Sequence, residues 1–134
     1  AALAGLAIEN SMLGAAHALA NPLTASHGLT HGRAVGLMLP HVVRFNAPVA
    51  GPGYAELLAA VGRPSRVDEA ADALADHVRQ LLAAGRLAPT LAAAGITTAA
   101  VGSLATAAAE QWTARFNPRP VTAADLAALY EAAR

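Results

Sequence analysis

The sequence predicts an all-α protein, an antiparallel array of helices. Alanine recurs throughout the 134 residues and 55% of the chain is hydrophobic, which favours helix over strand. No stretch alternates apolar and polar residues with period two, whereas several repeat apolar residues three and four apart. Glycine and proline fall between those stretches, where they punctuate helices. The length fits one domain, residues 1–134, long enough to bury a core. Aromatic residues make up only 4%, so Leu, Val and Ala must fill that core at close helix approaches.

Taken in order, residues 3–20 place Leu3, Leu6, Leu13 and His17 at helical spacing, with Asn10 and Asn21 on or near the same stripe. Pro22 is expected to end that helix, and residues 22–30 to form a glycine-containing connector. Residues 34–43 are almost wholly apolar and read as a buried helix that Pro40 kinks or restarts. The segment 46–53, with two prolines and two glycines, reads as a loop. Residues 54–61 form a short helix with Gly62 at its left-handed end. Ser65 and Asp68 have capping-box spacing ahead of a helix over 67–84 that Gly85 closes. Its buried stripe is Ala71, Leu74, Val78, Leu81 and Leu82, and its charged residues face solvent. Residues 90–94 form a helical turn stopped by Gly95, and Thr97 or Thr98 caps a helix to about residue 113. Residues 115–121 hold Pro118 and Pro120 and must be irregular. Thr122, three residues before Asp125, caps a last helix that ends at Arg134.

Composition excludes several functions. The nine basic residues, all Arg, balance nine acidic ones, so no electrostatic case exists for nucleic acid or an anionic membrane. The absence of cysteine removes disulfides, thiolate ligands and a thiol nucleophile together. No glycine-rich phosphate loop or nucleophile elbow is present. The apolar N-terminal stretch is interrupted by Glu9, Asn10 and His17 and has no basic residues ahead of it. Neither a secretory signal nor a membrane span is therefore expected, and a cytoplasmic location is. The chain opens at Ala1 in mid-pattern, as part of a longer protein would.

His17 and His31, fourteen residues apart, are the leading candidates for chemistry. A helix, a breaker, a connector and a second helix can bring them together. Asn21, one turn after His17, projects from the same face. A buried histidine that donates to a backbone carbonyl is the alternative reading. The metal reading draws on the apolar stripe around His17, where desolvation without a purpose is costly, and on the uncrowded Gly32 beside His31. Two imidazoles still need a third and usually a fourth ligand. His27 belongs to the solvent-facing connector, His41 points away from His31, and His77 lies among surface charges. Glu9 is more than two turns from His17. Asn117-Pro118-Arg119-Pro120 reads as a turn, with Arg119 able to hold a carboxylate or backbone carbonyls.

The run Ala4-Gly5-Leu6-Ala7 through Gly14-Ala15-Ala16-His17, then Pro22-Leu23, His31-Gly32 and Leu39-Pro40-His41-Val42 to Asn46, resembles the signature region of the iron-containing, group III alcohol dehydrogenases. Asn117-Pro118-Arg119 followed by a terminal helix resembles the end of those proteins. The resemblance implies a two-domain enzyme, its nucleotide-binding α/β domain preceding an all-helical metal-binding domain. It implies one divalent iron, or zinc, held by an Asp and three His, of which the two later match His17 and His31. The earlier Asp and His, and the domain for NAD or NADP, would lie upstream of Ala1. The intact protein would move hydride between an alcohol or aldehyde and NAD(P), the metal polarising the substrate oxygen, and this piece alone would be inactive. Pairing into a homo-oligomer is a further implication. Where many members carry a second histidine near the nicotinamide and substrate, this sequence has Asn21, which would line the substrate side but cannot titrate. Thr30 replaces the usual proline before the His-Gly pair. Competing readings are a non-catalytic helical interaction domain with structural histidines, and a small metal-dependent hydrolase. The hydrolase needs carboxylates beside the histidines, which the chain does not supply.

Overall fold

The computed structural model describes residues 2–134, which are helical with no strand among them. The predicted helix over 3–20 is instead two helices, α1 (Ala2–Ser11) and α2 (Ala15–His27). Met12 takes a left-handed φ of 61° and Gly14 is extended, so the chain turns between them. The stripe breaks with it. Leu3, Leu6, Ile8 and Asn10 are exposed, whereas Ala15, Ala16 and Leu19 are buried.

Pro22 does not end its helix. It lies buried inside α2, which continues to His27, leaving only residues 28–30 as connector. The lost N–H and the crowding at the carbonyl four residues back disfavour a proline there by about 3 kcal/mol. Complete burial of Leu19 and Leu23 on the same helix offsets that cost. Gly28 then stops α2 with φ 68°, its N–H on the Thr24 carbonyl at 3.2 Å and the Leu29 N–H on the Leu23 carbonyl at 3.3 Å.

The same override lengthens α3 (His31–Ala60), which runs through Pro40, Pro48 and Pro52 and absorbs both the predicted loop 46–53 and the predicted helix 54–61. Pro48 and Pro52 are exposed, so the carbonyls they strand can be hydrated; Pro40 is buried with Leu37, Met38, Val42 and Val43. Gly62 ends the helix at φ 74°, as expected.

Helix α4 (Ala70–Ala84) begins three residues late because its predicted cap does not form. Ser65 Oγ donates to the Arg66 carbonyl, and Asp68 is taken by the Arg66 guanidinium at 3.0 Å. Ala71, Ala75 and Leu82 are buried, Leu74 and Val78 are half-buried, and Leu81 is exposed, correcting the predicted stripe at one position. Arg44 ties α3 to α4 through Asp72 at 2.6 Å and Asp76 at 2.8 Å.

A 3-10 turn (Thr98–Ala100) leads into α5 (Val101–Ala109), shorter than predicted, and a second 3-10 segment (Trp112–Phe116) follows. The last helix, α6 (Ala123–Ala132), has the predicted cap: Thr122 Oγ1 accepts from Asp125 N–H at 3.2 Å, and Asp125 Oδ2 accepts from Thr122 N–H at 2.8 Å. The main core gathers α2, the first part of α3, α5 and α6, with small alanines at the helix approaches. Tyr130, fully buried, donates its hydroxyl to the Leu19 carbonyl at 2.6 Å and so pins α6 on α2.

Candidate metal centre

His17 lies in the first turn of α2 and His31 opens α3, so the chain reversal at residues 28–30 joins the two helices that carry them. The ring centroids are 5.3 Å apart and the planes tilt by 43°. Neither imidazole donates to a backbone carbonyl among the described residues. Two imidazole nitrogens bonded at ~2 Å to one tetrahedral ion set their ring centroids roughly 5 Å apart, so the pair fits as two ligands of a common metal. His17 is half-buried, and its pKa lies below the usual histidine value, first because burial disfavours the cation and then because His31 repels it. Its lone pair is therefore available at neutral pH. Among the described residues, no group of three or more His, Cys, Asp or Glu side chains could enclose an ion. The two imidazoles alone would not complete a metal site.

Asn21 shares the His17 face, one turn on, and is half-buried. Its Nδ2 donates to Gln111 Oε1 at 2.8 Å, while Gln111 Nε2 donates to the Ala107 carbonyl at 3.3 Å. The donation orients the Asn21 amide and leaves its Oδ1 as an acceptor. Thr24, three residues further along the same face, has a buried hydroxyl without a hydrogen-bond partner among the described residues. The α2 face therefore carries a polar line of His17, Asn21 and Thr24 beside His31. Gln111 was not legible in the sequence: its partner is ninety positions away, and no local pattern singles out a glutamine after α5.

The other histidines separate from this pair. His27 is exposed, at the last turn of α2 and not in a connector. His41 is buried, its pKa pushed down to about 4 by burial and then by the Arg79 and Arg44 charges. His77 is half-buried against the guanidinium of Arg63, where solvation was expected. Glu9 is exposed on α1. Arg119 donates to the Phe45 carbonyl at 2.8 Å and stands 4.0 Å over the Phe45 ring, so the stretch at residues 117–120 is more than the plain turn expected of it.

Residues 1–134 match the family model for the iron-containing alcohol dehydrogenase family, C-terminal. The chain belongs to that family. It is 32% identical over 134 residues to lactaldehyde reductase of Escherichia coli, covering 98% of this chain and 35% of that protein. It is 36% identical over 139 residues to 1-propanol dehydrogenase of Salmonella typhimurium, with 96% and 37% covered. The solved structure of alcohol dehydrogenase from Oenococcus oeni superposes with a TM-score of 0.92 at 26% identity, over 98% of this chain and 35% of that one. The chain thus spans about a third of its relatives' length and has the helical fold of their C-terminal part.

Proposed function

We propose that this chain is the metal-binding C-terminal domain of an NAD(P)-dependent alcohol dehydrogenase, in which His17 and His31 supply two ligands to one divalent metal, iron in the first instance and zinc in the second. The observation that carries the reading is the close approach of two imidazoles from different helices, without hydrogen bonds to backbone carbonyls among the described residues, in a member of the iron-containing family. A bound divalent metal supplies Lewis acidity to an alcohol or carbonyl oxygen. The chain's own contribution is placement. The α2 start holds the His17 ring toward His31, burial keeps His17 neutral, and Gln111 orients Asn21 so that its oxygen can accept from a substrate hydroxyl. Asn21 has no proton to exchange, so proton release on the substrate side must use another group.

The names of the relatives, among them a lactaldehyde reductase, a 1-propanol dehydrogenase and a long-chain-alcohol dehydrogenase, support an alcohol or aldehyde as substrate without fixing its chain length. The remaining Asp and His ligands and the nucleotide site belong in this reading to a preceding domain, and the intact enzyme to the cytoplasm. No helix among the described residues is long and apolar enough to cross a membrane. The test is calorimetric titration of the chain with Fe²⁺ or Zn²⁺. Weak binding that His17→Ala or His31→Ala abolishes is expected; tight one-to-one binding lost on His17→Ala would show a complete site here and refute the two-ligand reading. Binding that ignores both substitutions refutes the ligand assignment.

A further inference from the structure

One side chain touches both histidine-bearing helices and belongs to neither. Asn117 Oδ1 accepts from the Ala15 N–H at 3.2 Å, in the first turn of α2, and from Asn46 Nδ2 at 3.2 Å, midway along α3. Its Nδ2 donates to Asn46 Oδ1 at 2.7 Å and to the Arg119 carbonyl at 2.7 Å. A carboxamide has two donor hydrogens and two acceptor lone pairs, and buried Asn117 uses all four.

A helix is ordinarily capped by the residue that precedes it. Here that residue is Gly14, which makes no side-chain cap, and a Cβ built on it would lie 3.0 Å from Asn117 Oδ1. Asn117 thus occupies the space of a local cap and satisfies the first free N–H of α2 from 102 positions away. The turn that presents Asn117 is itself gripped to α3, because Arg119 holds the carbonyl and ring of Phe45, next to Asn46.

We propose that Asn117 is the positioning residue of the His17–His31 pair. By capping α2 and joining it to α3 through one amide, it sets how the two rings face each other. His17 stands two residues beyond the capped amide, and His31 opens the helix that Asn46 anchors. The use of the pair as ligands rests on the function proposed above; the placement of the rings does not.

The test is NMR on this chain, reading the nuclear Overhauser effect between the His17 and His31 rings and hydrogen exchange at the Ala15 amide. Asn117→Ala is expected to lose the ring contact and to speed Ala15 exchange at least tenfold, while the Val43–Ala75 contact between α3 and α4 persists. A folded Asn117→Ala chain that keeps both the ring contact and Ala15 protection overturns the proposal. If that variant does not fold, Asn117→Asp decides: it retains both accepting contacts but can donate neither to Asn46 nor to the Arg119 carbonyl. Ala15 should stay protected while the ring contact weakens, and an unchanged ring contact again overturns the proposal. Loss of ligand function shows separately, as an unsubstituted chain with the ring contact intact that binds no Co²⁺.

Discussion

His41 makes this fold sensitive to acid. It is buried on α3 one turn before Arg44, with Arg79 also facing it, and its pKa falls from 6.5 to about 4. Above pH 6.5 the imidazole is neutral whether the chain is folded or not. Between pH 6.5 and 4 the unfolded chain binds a proton that the folded one refuses, so stability drops on acidification, by up to about 3 kcal/mol. Thermal melts from pH 7.5 to pH 4.5 should show a steep fall that His41→Gln flattens; parallel curves would sink the assignment. Tyr130 supports a second expectation. Removing its hydroxyl in Tyr130→Phe leaves the Leu19 carbonyl without this donor and should cost about 1 kcal/mol, read from urea denaturation. At this scale spacing placed His17 and His31 where two helices could bring them together and put Asn21 on the His17 face, while their proposed roles come from the resemblance to the iron-containing family. It was silent on Gln111 and on the Asn46–Asn117 pair, because each hydrogen bond joins residues 90 or 71 positions apart.

Helix ends divide by whether their partner is local. The Thr122–Asp125 box forms as its spacing predicts, and Thr122→Ala should lower stability by about 1 kcal/mol, or roughly 4 °C in Tm. Ser65 and Asp68 have the same spacing and form no box, since the Arg66 guanidinium between them captures the Asp68 carboxylate. Ser65→Ala should therefore leave Tm within about 1 °C, the ordinary result for a surface substitution. Gly28 holds a left-handed turn between the two histidine-bearing helices, so Gly28→Ala should cost about 1 kcal/mol and weaken metal binding with it. The prolines taught the opposite lesson. Pro22 and Pro40 are strong local stop signals, yet both sit buried in continuing helices, because the leucines, valines and methionine around them are worth more in the core than an uninterrupted ladder.

At the scale of the molecule, the chain matches about a third of the length of its relatives. Among the described residues no group of three or more His, Cys, Asp or Glu side chains could hold an ion, so the two imidazoles proposed as ligands would need further donors from elsewhere. The chain alone should give no NAD(P)-linked oxidation of 1-propanol, followed by absorbance of the reduced nicotinamide. Joined to a preceding segment that supplies an Asp and a His, it should bind metal at least a hundredfold more tightly. Equal affinity with and without that segment would contradict the shared-site reading.

Local chemistry in the sequence was enough to determine that the protein is all-α and where its last helix begins, and it allowed the approach of His17 and His31 across a short connector. Each of these depends on residues within a few turns or on a short connector. Tertiary structure alone decided that α1 stays outside the core, that α2 and α3 pass through their prolines, and that Asn117 caps α2 from the far end of the chain. Those outcomes compare a local cost with burial or hydrogen bonding to a distant segment, and the distant term enters only once the helices have packed.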